Sequence, residues 1–135
     1  MTAAETGHLL LATLHTRAAV NTVDRIIDAF PADQQNQIRI QLSEVLHTVV
    51  SQQLLRDVDG NLVPAFEIMH MNNAIGSMIR DCRNHQISAA ISSGAAEGMI
   101  SMDQSVLQLF LDGRITKETA LAHAEHPEQM LRRIG

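Results

Sequence analysis

A continuous aliphatic run near the N-terminus constrains the fold of this chain more than any other feature. The run spans Gly7 to Thr16 and contains four leucines before it ends on hydroxyl and imidazole side chains. A short apolar run between polar signals predicts a strand over residues 8–15, buried on both faces as in a parallel sheet. Such a strand needs neighbours on both edges. The remaining sequence contains one further clear strand region, so we expect this chain to be the C-terminal part of a larger α/β domain.

The polar end of this predicted strand is the first candidate site. In open α/β sheets, ligands bind beyond the carboxyl ends of strands, which is where Thr13, His15 and Thr16 lie. Thr13 and His15 are two residues apart, so in a strand they project to the same face, whereas His8 and His15 project to opposite faces. The two histidines therefore cannot form a metal pair within a regular strand. The structural alternative for His15 is that it caps the following helix or satisfies a buried carbonyl.

Two helices and a hairpin are predicted to follow the strand. Thr2–Thr6 has the character of a last helical turn closed by Gly7 in a left-handed conformation. Apolar residues at helical spacing predict a helix over residues 17–30, which Pro31 ends. Asp33 is the expected cap of a second helix, although Asn36, three residues later, does not complete a capping box. The inner stripe of that helix is predicted to contain Ile38, Leu42, Val45, Leu46 and Val49.

The hairpin is predicted from the dipeptide Asp59-Gly60, which favours a tight turn between residues 54–58 and 62–69. Pro64 cannot donate a hydrogen bond to a ladder, so we expect it at an edge or a bulge.

Short helices are predicted after His70. Asn72 or Asn73 is expected to cap the first, and residues 86–92 to form the second. Ser101 with Gln104 forms a capping box, and Thr116 is the expected cap of a further helix before a last turn over residues 127–133. We expect a boundary near residue 70, between an N-terminal part, residues 1–70, and a helical C-terminal subdomain, residues 71–135.

Composition excludes several classes of protein. The net charge of −5 and the absence of a Lys/Arg cluster argue against a nucleic-acid partner. The chain has no Tyr or Trp on which bases could stack, and its aliphatic content of Met, Leu, Ile and Val must supply the core. The single Cys82 precludes an internal disulfide and fits a reducing compartment. No apolar run approaches the roughly 18 residues of a membrane span, and no signal peptide is recognisable.

Several blocks of the sequence resemble one known family. Residues 7–16, GHLLLATLHT, resemble the histidine box of the secretion-superfamily ATPases, and residues 22–31, TVDRIIDAFP, and Glu67-Ile68-Met69 resemble its twitching-motility branch, the type IV pilus retraction motors. The blocks occur in the order and spacing of that family over nearly the whole chain. Residues 74–81, AIGSMIRD, align with its retraction signature helix, AIRNLIRE, although Gly76, Ser77, Met78 and Asp81 differ.

The resemblance implies a mainly helical α/β fold, the C-terminal half of a RecA-like P-loop NTPase core with a small helical subdomain. It implies a hexameric ATPase that couples ATP hydrolysis to pilus disassembly, with ATP and Mg²⁺ as cofactors. His15 would approach the terminal phosphate, supported by Thr13 and Thr16. The signature helix would contribute Ala74, Ile75, Ile79 and Arg80. The implied location is cytoplasmic, at the inner membrane beside the platform proteins of the pilus.

This sequence does not contain all of the ATP-binding motifs that the resemblance implies. No G-x-x-x-x-G-K-[ST] pattern occurs, and the only lysine, Lys117, has no glycine-rich loop beside it. We therefore expect the isolated chain to take no cofactor and to be inactive alone. Because the predicted strand lacks neighbours, we expect a dimer or higher oligomer. The alternative function is a non-catalytic interaction module derived from such an ATPase.

Three further groups of polar residues leave alternatives open. Asp24 and Arg25 lie off the apolar stripe of their helix and fit a solvated face or a subunit contact equally well. Glu67 is expected to point inward and pair with an arginine, without a catalytic role. His123, Glu125 and His126 suggest metal ligands, and the two histidines have helical spacing for two of them. A site needs three or four ligands, so no metal site is predicted.

Overall fold

The computed structural model describes all 135 residues as eight α-helices and one antiparallel hairpin. The helices are α1 Thr2–Glu5, α2 Ala19–Asp28, α3 Gln35–Val45, α4 Asn73–Arg80, α5 Ile87–Ser93, α6 Met102–Leu111, α7 Lys117–His123 and α8 Pro127–Ile134. The strands are β1 Thr48–Arg56 and β2 Leu62–His70. Short 3₁₀ turns at Ala32–Gln34, Asn84–Gln86 and Ala95–Glu97 connect them.

The strand predicted over residues 8–15 does not form in this structure. Residues 8–16 adopt no regular structure, and Leu9 and Leu11 are 84% and 86% exposed. A strand exists only through hydrogen bonds to a neighbour, and no strand of the described chain lies beside this segment. The helical turn before it is as predicted, because Gly7 takes a φ of +87° and the N–H groups of Gly7 and His8 donate to Ala4 and Ala3.

The first two long helices form as predicted, with corrected ends. Helix α2 buries Ala19, Val23 and Ile27 on one stripe. Asp33 does not cap α3; it lies within a 3₁₀ turn before that helix, which has no side-chain cap. Val49 belongs to β1 rather than to the inner stripe of α3, since the chain leaves the helix at Leu46.

The hairpin is confirmed and is longer than the sequence suggested. Its register places Ser51 opposite Glu67 and Leu54 opposite Pro64. Asp57 fixes the turn, because its Oδ1 accepts from the N–H groups of Asp59 at 2.9 Å and Asn61 at 2.8 Å. Gly60 has a φ of +84°, which a side chain would strain. Pro64 lies in β2 with its nitrogen facing away from β1, so it costs no ladder bond.

The C-terminal helices begin at the cap residues that the sequence predicted. Asn72, Ser101 and Thr116 each accept a hydrogen bond from a backbone N–H of the first turn, and Ser101 with Gln104 completes a capping box. The longest helix of the structure has 11 residues, and none has the length and hydropathy of a membrane span.

Two aliphatic clusters form the core and share the hairpin. The first joins α2, α3, α4 and α5 to Val49 and Met69 at one end of the strands. The second joins α6, α7 and α8 to Leu55, Val63 and Ala65 near the other end. The boundary expected near residue 70 stays a prediction; β1 and β2 contribute side chains to both clusters.

Candidate functional site

The segment that carries Thr13, His15 and Thr16 is anchored at one end only. Thr16 is half-buried, and its Oγ1 lies 2.7 Å from the Oγ1 of Thr22, the residue that also donates to the Ala18 carbonyl at 3.2 Å. Thr13 and His15 are exposed and make no hydrogen bond within the chain. Because no strand forms, the common face inferred for Thr13 and His15 is not imposed by the backbone. His15 neither caps α2 nor binds a carbonyl, so its ring nitrogens are free for a ligand.

The start of α2 is fixed by a buried carboxylate from the hairpin. Glu67 is 2% exposed, and its Oε1 accepts from the Ala19 N–H at 2.8 Å while its Oε2 accepts from the Met102 N–H at 3.4 Å. Ala19 and Met102 are the first residues of α2 and α6, where the helix dipoles favour negative charge. The arginine partner expected for Glu67 is absent, since the two ion pairs of the chain are Arg83–Asp81 and His126–Asp103. Two helix N-termini take the place of that cation.

A polar cleft of 410 Å³ opens beside Glu67. Asp103 organises its far wall, accepting from the N–H groups of Glu125 at 2.7 Å and His126 at 3.1 Å. Glu125 lies at the exposed rim of this cleft, where partial desolvation of its carboxyl raises its pKa. The nearby charges of Glu67 and Asp103 raise the pKa further, and His126 opposes that effect. No group of three or more His, Cys, Asp or Glu side chains in the structure has the arrangement of a metal site.

The predicted signature helix, α4, packs into the core through its apolar residues and bonds to α3 through its arginine. Ile75 and Ile79 are fully buried, whereas Ala74 is exposed. Arg80 reaches back over the helix, and its Nη1 donates to the Ser43 Oγ of α3 at 3.1 Å. Gly76 is buried beneath that guanidinium, and a Cβ there would lie 3.3 Å from the Arg80 Nη1. The same Cβ would lie 3.8 Å from the Ser43 carbonyl oxygen, so α4 is in contact with α3 at this position.

A polar chain that the sequence analysis missed connects α2 to α3 and α4. The Asn84 Nδ2 donates to the Asp24 Oδ1 at 2.6 Å, and the Arg39 Nη1 donates to the Asn84 Oδ1 at 3.2 Å and to the Ile79 carbonyl at 3.1 Å. Asp24 therefore makes an intramolecular bond, while Arg25 is exposed. No periodicity identifies Asn84, because its partners lie 60 and 45 residues away.

The structure does not bring the candidate residues into one site. Thr16 contacts the start of α2, whereas Ile75, Ile79 and Arg80 contact α3 and the core around it. The link between the two groups runs through α2, Asn84 and α3 rather than through a shared cleft. A phosphate could be contacted by the free donors of residues 13–16, but the described residues do not include a glycine-rich cradle for it.

Comparisons with known proteins support one family. The family model described as type II/IV secretion system protein matches residues 1–108. A twitching motility protein of Neisseria gonorrhoeae is 46% identical over 131 residues, covering 96% of this chain and 35% of that protein. The type IV pilus retraction ATPase PilT of Pseudomonas aeruginosa is 42% identical over 128 residues, 95% of this chain and 37% of that protein. The chain thus spans about a third of the length of the curated relatives it matches.

A solved structure gives the same result for the fold. The crystal structure of the pilus retraction motor PilT with bound ADP matches 97% of this chain and 36% of that chain, with a TM-score of 0.83 and 39% sequence identity. The mainly helical α/β fold inferred from the resemblance is confirmed by this match.

Proposed function

The chain belongs to the family of type II/IV secretion system proteins, and from this premise we propose that it serves as part of a type IV pilus retraction motor. The observation that carries the proposal is the 39% identity and TM-score of 0.83 to the ADP-bound retraction motor over 97% of the chain. The relatives of known name point the same way, since one is a twitching motility protein and another a pilus retraction ATPase.

In this proposal the complete motor is a hexamer that couples ATP hydrolysis to the disassembly of a pilus. ATP and Mg²⁺ are its cofactors, and the platform proteins of the pilus are its partners at the cytoplasmic side of the inner membrane. Bound ATP would supply the free energy of phosphoryl transfer.

His15 is the proposed catalytic residue of this chain, with Thr13 and Thr16 as nucleotide-binding residues. The exposed imidazole, free of internal partners, supports this role because it can donate to a phosphate oxygen or handle a proton. Thr16 ties the segment to Thr22, and Glu67 fixes the helix that follows. A change in the position of residues 13–16 would therefore be transmitted to α2.

Helix α4 is the proposed retraction element, acting through Ala74, Ile75, Ile79 and Arg80. Its support is the direct bond from Arg80 to α3 and the chain of bonds from Asp24 through Asn84 to Arg39. These contacts give α4 a continuous route to α2, the helix that begins three residues after Thr16. The exposed Ala74 is free to contact another protein.

A non-catalytic interaction module derived from such a motor is the second candidate. The observation that favours it is the absence of a phosphate-loop pattern in this sequence, whose only lysine, Lys117, donates from its Nζ to the Gly135 carbonyl at 2.9 Å. A module of this kind would bind a motor subunit or a pilus component without hydrolysing ATP.

A chimera separates the two candidates. The matching third of the Pseudomonas retraction ATPase is replaced by this chain, and twitching is measured in cells that lack their own copy. Restored twitching supports a motor role for these residues. A stable chimera that forms hexamers and hydrolyses no ATP would refute it and favour the interaction module.

A further inference from the structure

Asn84 is a buried amide at the point where α2, α3 and the end of α4 meet. It is 7% exposed and lies in the 3₁₀ turn that follows α4. Its Nδ2 donates to the Asp24 Oδ1 of α2 at 2.6 Å, and its Oδ1 accepts from the Arg39 Nη1 of α3 at 3.2 Å. Hydrogen bonds to a charged partner are about twice as strong as neutral ones. This one side chain therefore joins α2 to α3 by two strong bonds.

The two charged partners leave the amide of Asn84 only one orientation. A carboxylate only accepts hydrogen bonds and a guanidinium only donates them, so the amide nitrogen must face Asp24 and the amide oxygen must face Arg39. Neither ion pair of the chain includes Asp24 or Arg39. The polar connection between these two helices therefore passes through Asn84.

The turn that contains Asn84 is fixed to the end of α4. The Arg83 N–H donates to the Met78 carbonyl at 2.7 Å. The Cys82 N–H donates to the Ile79 carbonyl at 3.4 Å, and Cys82 has a φ of +59°. These bonds and the left-handed residue between them form a Schellman motif, which closes the C-terminus of a helix. Asn84 directly follows this motif, so a displacement of Asn84 also displaces the last turn of α4.

The other end of the connection lies close to the nucleotide-binding candidates. The Thr22 Oγ1 of α2 lies 2.7 Å from the Thr16 Oγ1. Asp24 follows Thr22 by two residues in the same helix. A displacement of residues 13–16 that moves α2 therefore also moves the carboxylate to which Asn84 donates.

We propose that Asn84 is the positioning residue that couples α2, the helix beside the nucleotide-binding candidates, to the retraction helix α4. This inference rests on the proposed motor function and adds the residue through which the motion passes. The amide transfers a movement of α2 to α3 and to the end of α4, because it is bonded to both sides and buried between them. Loss of this connection should separate ATP hydrolysis from retraction.

An exchange of the two functional groups tests the bond in the chain as it stands. Asn84→Asp places two carboxylates against each other and should raise the equilibrium constant of unfolding ~tenfold or more. In the double variant Asp24→Asn/Asn84→Asp, the amide at position 24 donates to the carboxylate at position 84, which still accepts from Arg39. We expect this variant to recover most of the lost stability in urea denaturation.

Asp28→Asn is the matched control for this rescue. It removes the same charge from an exposed position of the same helix, α2. Asp24→Asn alone loses a charge-assisted bond and should itself destabilise the chain, so its rescue of Asn84→Asp is specific to this contact. Asp28→Asn should not rescue Asn84→Asp. Equal rescue by the two substitutions, or rescue by neither, would overturn the proposal.

The chimera with the Pseudomonas retraction ATPase tests the coupling. We expect its Asn84→Asp variant to assemble and hydrolyse ATP like the parent chimera but to lose twitching, and Asp24→Asn/Asn84→Asp to twitch again. A working parent chimera whose Asn84→Asp variant still twitches would refute the coupling alone. Equal losses of ATPase rate and twitching would also refute it, because they indicate a merely structural role. A parent chimera that hydrolyses no ATP refutes the proposed motor function, and the coupling with it.

Discussion

The Glu67 Oε1 accepts a hydrogen bond from the Ala19 N–H at 2.8 Å, although 48 residues separate the two in sequence. This bond attaches the first turn of α2 to β2, and the second oxygen reaches the first turn of α6. One buried carboxylate thus fixes the helix next to the nucleotide-binding candidates and the helix that lines the polar cleft.

Glu67→Gln should destabilise the fold. The amide keeps the size of the side chain but loses the negative charge that two helix N-termini stabilise, so we expect the free energy of unfolding to fall by about 1–2 kcal/mol. Urea denaturation measures it. Glu44→Gln, on the exposed face of α3, is the matched control and should change stability by less than about 0.5 kcal/mol. Equal effects at both positions would contradict the role given to Glu67.

Asn72→Ala should weaken the start of α4. The Asn72 Oδ1 accepts from the Ile75 N–H at 2.9 Å, and loss of a cap of this kind costs about 1 kcal/mol. Asn73→Ala provides the control in the adjacent position, because Asn73 is exposed and does not cap. Thermal unfolding of the two variants distinguishes them. A larger loss in Asn73→Ala would show that the cap is assigned to the wrong residue.

Glu125→Gln should stabilise the chain near neutral pH. The pKa of Glu125 is raised above 4.5 by burial, so the folded state holds the proton more tightly than the unfolded state. Stability is therefore lost as the pH rises from 4.5 through the folded pKa, and the variant escapes this loss. Urea unfolding at a series of pH values measures the difference, with Glu128→Gln as the control because Glu128 does not line the polar cleft. Parallel pH profiles for the parent and Glu125→Gln would contradict the prediction.

The isolated chain should not bind Mg-ATP with micromolar affinity. Its sequence contains no glycine-rich phosphate loop, and the free donors of residues 13–16 cannot replace a cradle of backbone N–H groups. Calorimetric titration with Mg-ATP gives the answer directly. Saturable binding at micromolar nucleotide would mean that other residues of this chain form a phosphate site.

His15→Ala in the chimera with the Pseudomonas relative should damage turnover more than nucleotide binding. Loss of one positioned proton-handling or electrostatic group typically lowers the rate on the order of 10²–10³-fold. His8→Ala is the control within the same segment, since the Nδ1 of His8 is occupied by the Thr6 hydroxyl at 3.1 Å. ATPase rates and nucleotide affinities of both variants are compared. An unchanged rate in His15→Ala would leave this histidine without a catalytic role.

Local signals in the sequence predicted most elements of the fold. The turn at Asp59-Gly60, the Ser101–Gln104 capping box and the cap at Thr116 all form where expected. Each of these depends on bonds between residues a few positions apart, so the sequence contains both partners of the interaction. The membership in the secretion family was also predictable, because its blocks occur in order along the chain.

The sequence by itself therefore determined the helices, the hairpin and the family of this protein. Only the tertiary structure decided that residues 8–16 form no strand, that Glu67 binds two helix N-termini instead of an arginine, and that Asn84 connects Asp24 to Arg39. The physical reason is the same in each case. A strand and a buried polar group are satisfied by partners distant in sequence, and the presence or absence of those partners is settled only when the chain packs.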